Sequence, residues 1–177
     1  MKVLTENQSS PLKSKWIDTP LGPMIAIADD TSLYLLEFSE RRGLEKELQK
    51  LYAKIQPTIE PGETPALSLI EKELKLYFEG SLKTFQSSFY LMGTPFQKQA
   101  WDALCKVPYG ETRSYGQQAK NIGNPLGHRA VANANGMNQL AIIIPCHRII
   151  RTNGDIGGYG GGINRKKRLI EHEEKNR

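Results

Sequence analysis

Residues 141–150, Ala-Ile-Ile-Ile-Pro-Cys-His-Arg-Ile-Ile, constrain this chain more than any other stretch. Four apolar residues lead into Pro145, and two isoleucines resume the run after Arg148. A fold that buries this run carries a thiol and two basic side chains inward with it. An apolar run this short, bounded by a breaker, reads as a buried strand. Adjacent side chains on a strand point to opposite faces. A direct hydrogen bond from His147 to the Cys146 sulfur is therefore not expected, and contact needs a bridging water or a bend at Pro145.

A thiol reacts as its thiolate, which forms near neutral pH only beside a base or a positive charge. His147 and Arg148 raise the local positive potential. A carboxylate to orient the imidazole is available in Arg-Leu-Ile-Glu-His-Glu-Glu, at Glu171, Glu173 or Glu174. From the residues alone three readings stay open: a buried apolar cysteine, a hydrolase nucleophile, or an acceptor of alkyl groups at saturated carbon. One cysteine beside one histidine cannot close a tetrahedral metal site without distant ligands, so a metal ranks last. The other cysteine, Cys105, sits near an apolar helix side and reads as a small buried thiol. Two cysteines make a poor disulfide framework and point to the reducing cytoplasm.

Charge divides the chain. Residues 1–90 carry 11 Lys and Arg against 13 Asp and Glu, and residues 91–177 carry 13 against 6. The second half is the basic one, as a polyanion-binding module would be. The first ten residues have no apolar core of a secretory signal, and no run approaches the roughly 20 residues that cross a bilayer.

The first half reads as a small α/β unit over residues 1–90. Thr-Pro-Leu-Gly-Pro signals a hairpin beside the strands Met-Ile-Ala-Ile-Ala and Leu-Tyr-Leu-Leu-Glu-Phe. Leu44, Leu48, Leu51 and Ile55 fall on one helix face. A second helix starts at Pro65 with Thr64 as its cap and ends before Gly80. Residues 83–91 look like a further strand. The second half, 91–177, opens with a helix capped by Thr94, with Phe96, Ala100, Ala103, Leu104 and Val107 along one side. Two short helical patterns joined by Gly-Asn-Pro-Leu-Gly follow, the layout of a helix-turn-helix. The second is slim, with Ala130, Ala132, Ala134 and Gly136 between Arg129 and the asparagines 133, 135 and 138. Such a helix suits a minor groove roughly 6 Å wide as well as it suits a tightly packed core.

Ile-Ile-Ile-Pro-Cys-His-Arg-Ile-Ile, followed by Gly-Tyr-Gly-Gly-Gly and a basic helix ending in His-Glu, resembles the O6-alkylguanine-DNA alkyltransferases. Thr-Pro-Phe-Gln, Pro-Tyr-Gly-Glu-Thr-Arg-Ser-Tyr-Gly and Arg-Ala-Val-Ala-Asn-Ala-Asn-Gly-Met-Asn match in the same order, so the resemblance is strong over residues 92–174 and loose before them. It implies a ribonuclease H-like first domain and a mainly α, winged-helix-like second domain with a helix-turn-helix. It implies single-use transfer of the alkyl group from O6-alkylguanine, and of O4-alkylthymine as an open question, to Cys146. His147 is then the base, acting through a water, Glu173 its orienting carboxylate and Asn138 the brace of the turn. Tyr115 serves guanine N3, and Arg129 fills the stack when the nucleotide flips out. Ala130, Ala132, Asn133, Asn135, Gly136 and Arg148 are the remaining expected DNA contacts, and Ile149, Tyr159 and Gly160 join Tyr115 in the pocket. No cofactor and no metal are expected. The partner is duplex DNA bearing the lesion and no membrane; a monomer is expected, with cooperation between copies along DNA left open. The family's usual Asn-Pro is Asn138-Gln139 here, and Ala141 stands where some members have a second proline, which predicts a looser turn. Rival classes are a lesion binder that transfers nothing, against which Cys146 argues, and a sequence-specific regulator with an incidental thiol.

Overall fold

Two compact units, Met1–Met92 and Gly93–Arg177, make up the chain in its computed structural model, which describes residues 11–55 and 58–177. The expectation drawn from the first ten residues lies outside the described residues. Among the described residues no helix is long and apolar enough to cross a membrane.

The first unit is a four-stranded mixed sheet with two helices. Strands β1 (Leu12–Ile17), β2 (Met24–Ala28) and β3 (Leu33–Phe38) run antiparallel, and β4 (Ile59–Pro61) adds to β1 in parallel, giving the order β3-β2-β1-β4. Pro61, which has no N–H, is tolerated because β4 is an edge. Ile27 and Leu35, cross-strand partners, join Leu12 and Leu51 of helix α1 (Leu44–Ile55) in one cluster, with Leu44, Leu48 and Ile55 packed against it. Their partners in the alternating register, Ala26 and Leu36, are equally buried, and helix α2 (Pro65–Phe78) packs against β1 and β2. Burial of both faces explains why β2 and β3 are nearly continuous apolar runs. The hydroxyl of Thr64 caps α2 by accepting from the Leu67 N–H.

Residues 83–91 do not form the expected strand. Among the described residues their backbone pairs with the sheet only at an isolated bridge, Leu33 to Phe89. The N–H groups of Gln86 and Ser87 donate instead to the buried Glu73 carboxylate, at 2.6 and 3.1 Å, so a side chain takes the place of a ladder.

In the second unit Thr94 and Gln97 form a reciprocal capping box on helix α3 (Pro95–Cys105). Its inward residues are Ala100, Trp101 and Leu104; Phe96 and Ala103 are only partly buried, and Trp101, not expected there, donates its indole N–H to the Ala134 carbonyl at 2.8 Å. Cys105, the last residue of α3, is exposed rather than buried. Helices α4 (Tyr115–Asn121) and α5 (His128–Gly136) are joined by a turn, and α6 (Ile163–Lys175) closes the unit. Two short strands, β5 (Arg113–Ser114) and β6 (Ile149–Ile150), pair in parallel.

Candidate active site

The apolar run around Cys146 is not a strand. Residues 141–144 form tight turns, Cys146–Arg148 a single 3-10 turn, and only Ile149 and Ile150 are extended. Backbone bonds close over short spans, Ile143 N–H to Ala141, Ile144 to Leu140, Cys146 to Ile144 and Arg148 to Pro145. Ile142 has φ 73°, the one positive value at a non-glycine residue among the described residues, a conformation that costs a β-branched residue about 1–3 kcal/mol. What holds it is Asn138. Its Oδ1 accepts from the Leu140 N–H at 3.0 Å, while its Nδ2 donates to the Ile144 carbonyl at 2.8 Å and to the Cys146 sulfur at 3.2 Å. The turn is thus closed without the prolines missing at 139 and 141. Alternation of apolar residues could not reveal this, because the turns bury most of the run on both sides and leave only Ile143, Cys146 and Ile150 partly exposed.

Behind the thiol lies a fully buried ion cluster. His147 Nε2 is 2.8 Å from Glu173 Oε1, and the Arg148 guanidinium donates to both oxygens of Glu173, at 2.7 and 3.0 Å, and to the Val107 carbonyl at 2.6 Å. The Gly110 N–H also donates to Glu173, at 3.2 Å. Burial alone would push the Glu173 carboxyl up, but hydrogen bonds and charge from His147 and Arg148 outweigh it and hold the group well below the usual carboxylate range. Burial pulls the His147 imidazole down against the pull of Glu173, so it is neutral at pH 7. An ionised carboxylate only accepts, so Nε2 carries the proton and Nδ1 carries the lone pair. Among the described residues Nδ1 has no hydrogen-bond partner, which leaves it able to take a proton.

Cys146, half-buried, opens into a cleft of about 760 Å³. Tyr115, Arg129, Ala132, Asn133, Gly136, Tyr159 and Gly160 line it, all of them expected site residues. Burial, and then the charge of Cys146, push the Tyr115 phenol up, so it stays protonated and can donate. Gly157, at φ 72°, passes over the Tyr115 ring: a Cβ there would lie 3.5–3.6 Å from the ring and its hydroxyl, so space is ordinary and the backbone conformation demands the glycine.

Three expected residues are placed differently. Asn135 is among the lining residues of the cleft, but it is buried and exchanges amide hydrogen bonds with Gln118 of α4, at 2.7 and 3.0 Å, so its side chain ties α5 to α4. Arg148 is spent on Glu173 rather than displayed as a DNA contact. Ile149 is buried and not among the lining residues. Ala130, expected to meet DNA, is exposed on α5.

Sequence reading missed His128, Arg151 and Thr152 on the rim, and Lys166. Lys166 is fully buried, and its ammonium donates to the Ile149 carbonyl at 2.5 Å and the Gly158 carbonyl at 3.1 Å. The basic run Asn-Arg-Lys-Lys-Arg hid it. Lys166, Leu169 and Glu173 stand three and seven residues apart on α6, a helical stripe that is buried throughout, and that spacing was the available signal. Among the described residues no group of three or more His, Cys, Asp or Glu is placed to hold a metal ion.

Comparison with known proteins agrees on one group. Residues 95–175 match the family model described as 6-O-methylguanine DNA methyltransferase, DNA binding domain. A methylated-DNA–protein-cysteine methyltransferase of Mycobacterium bovis is 44% identical over 158 residues, spanning 89% of this chain and 90% of the relative. The crystal structure of the Mycobacterium tuberculosis O6-methylguanine methyltransferase superposes with a TM-score of 0.80 at 40% identity, covering 94% of each chain. That of Mycobacterium tuberculosis OGT in complex with DNA gives 0.79 at the same identity and coverage.

Proposed function

Because the chain belongs to the methylated-DNA–protein-cysteine methyltransferase family, we propose that it repairs DNA by taking the alkyl group of O6-alkylguanine onto Cys146, once per molecule. It is an enzyme of alkyl transfer to its own cysteine, and DNA is its partner. The observation that carries the assignment to Cys146 is its sulfur, open to the cleft, pinned by Asn138 and adjacent to a neutral imidazole whose other nitrogen is fixed by Glu173.

His147 Nδ1 accepts the thiol proton through a water. The sulfur attacks the alkyl carbon in line, an S–C bond forms and the C–O6 bond breaks. The purine leaves with the bond's electron pair, and the neutral Tyr115 phenol donates a proton at N3. Among the described residues the cleft lining holds no second thiol to take the alkyl group from the thioether. A thiol fixed in a cleft cannot approach a carbon inside a stacked duplex, so the nucleotide is extruded at a cost of a few kcal/mol. Arg129, exposed at the cleft rim on α5, offsets part of that cost by occupying the gap. The exposed α5 surface of Arg129, Asn133 and Gly136 enters the minor groove, whose degenerate pattern suits a protein that must meet lesions in any sequence. We read α4 and α5 as a helix-turn-helix in a winged-helix-like DNA-binding domain, and the first unit as a ribonuclease H-like scaffold. O4-alkylthymine is a candidate second substrate.

The test is intact-mass and peptide mass spectrometry after mixing with excess duplex containing O6-methylguanine. One methyl per chain, on Cys146, with no further turnover, is expected. Cys146→Ala should keep lesion binding and lose all transfer; loss of DNA binding in that variant would show the cysteine to be structural.

A further inference from the structure

We propose that Asn133 is a specificity-determining residue: its amide reads a base pair beside the lesion through the minor groove and favours a guanine there. The chemical feature it recognises is the guanine 2-amino group, the one hydrogen-bond donor that this groove displays. The inference rests on α5 entering the minor groove.

The surface of α5 carries it. Two asparagines stand two residues apart on this helix and are used differently. Asn135 is buried and gives both ends of its amide to Gln118. Asn133 is exposed, lines the cleft together with Arg129, and has no hydrogen-bond partner among the described residues. Beyond Arg129 the rest of the helix surface is Ala130, Ala132 and Gly136, and none of them has a side chain that can hydrogen-bond. Ala130 and Gly136 flank Asn133 three residues away on either side, the spacing of neighbours on a helix face. A Cβ at Gly136 would meet nothing within 4 Å, so this neighbour faces open space. Nothing bulky keeps the Asn133 amide out of a groove roughly 6 Å wide.

An amide combines one acceptor oxygen with two N–H donors. An A·T pair presents only acceptors in the minor groove, and the Asn133 Nδ2 donates to either of them. A G·C pair adds the 2-amino donor, which Oδ1 accepts, so the contact becomes bidentate. Every sequence is still bound, and guanine is held by two bonds in place of one. Asn133 lies four residues from Arg129, about 6 Å along the helix. Base pairs stack about 3.4 Å apart, so with Arg129 in the gap the amide reaches the first or second pair from the flipped nucleotide.

The test uses the whole protein and a set of O6-methylguanine duplexes. Guanine in each of the two pairs on either side of the lesion, in either strand, is replaced in turn by hypoxanthine, which lacks only the 2-amino group. The second-order rate constant for transfer is then compared between the parent and Asn133→Ala, whose fold is checked by circular dichroism. At one position the parent should slow by about tenfold, the worth of a bidentate contact. Adenine replaced there by 2,6-diaminopurine, which adds the group, should speed transfer. Weaker pairing of hypoxanthine with cytosine acts on both proteins alike, so the quotient of their guanine-to-hypoxanthine ratios isolates the amide. Equal ratios in the two proteins overturn the proposal. So does a uniform loss across all duplexes in Asn133→Ala, which would make the residue a contact to the sugar-phosphate backbone. The same ratios are read as dissociation constants in a Cys146→Ala background, which needs no transfer, so failure of alkyl transfer and failure of base reading are told apart.

Discussion

Two buried glutamates, one in each unit, show how the same chemical group serves different ends. Glu73 of α2 accepts from the N–H groups of Gln86 and Ser87 and from the Ser87 hydroxyl, at 2.6, 3.1 and 2.6 Å. Glu173 of α6 accepts from His147 and Arg148, at 2.8 and 2.7 Å. The first carboxylate meets backbone and hydroxyl donors that never change charge, and its work ends with holding residues 86 and 87 in place. The second meets an imidazole one residue from an open thiol, so its charge decides which ring nitrogen bears the proton. Burial of a charge marks neither as functional; the partner does.

Neutralising each glutamate tests the contrast. Glu173→Gln removes the charge that fixes the imidazole tautomer, and alkyl transfer from O6-methylguanine duplex should slow by on the order of 10²-fold or more, in rapid-quench assays. A rate within a factor of two of the parent would place the base elsewhere. Glu73→Gln should leave that rate unchanged, and lower unfolding free energy by about 1–3 kcal/mol in urea titration, the cost of charge-assisted bonds weakened in a buried site. Loss of rate in folded Glu73→Gln protein would show that both glutamates serve the site.

The smallest expected effect is in the pH dependence, where buried acids of the two units act with opposite sign. Glu37, on the inner face of β3 with Arg41 and Glu47, is pushed up by burial to about 8. Its folded form holds a proton that the unfolded chain releases near pH 4.3, so its stabilisation is full below that value and drains as pH rises toward 8. Glu173 is held down, so its stabilisation is present above about pH 4.3 and lost only as pH falls below it. His147, also lowered, opposes folding below about pH 6.5 and is without pH effect above it. Hydrogen exchange, corrected for intrinsic rate, should show protection in β3 and α1 falling about tenfold between pH 6.5 and 8, and none of that fall in α6. Equal slopes in both units would remove the assignment of Glu37 as the group responsible.

Much of this was legible along the chain. The caps at Thr64 and Thr94, the stripe Leu44 to Ile55, and the pairing of His147 with Glu173 all stand where local pattern and resemblance put them. What was not legible shares one physical cause, a side chain substituting for backbone pairing across a distance. Glu73 takes the N–H groups of residues 86 and 87, and Asn138 accepts from the Leu140 N–H and donates to the Ile144 carbonyl and the Cys146 sulfur, so two segments that read as strands are not strands. Asn135 and Arg148 carry the side chains of DNA readers, but their partners, Gln118 and Glu173, lie 17 and 25 residues away and claim them for the interior.

Asn138 can also be considered as a matter of choice among twenty residues. The position must accept one hydrogen bond from the Leu140 N–H and donate to both the Ile144 carbonyl and the Cys146 sulfur. Aspartate accepts but cannot donate, and would set a negative charge beside the sulfur that has to become negative itself. Serine and threonine are too short to reach all three, and glutamine adds a methylene to a site only 2% exposed. Histidine in either neutral form has one donor and a ring to house. One side chain meets every condition, so the alphabet at this position shrinks to a single letter through bonds within the protein alone.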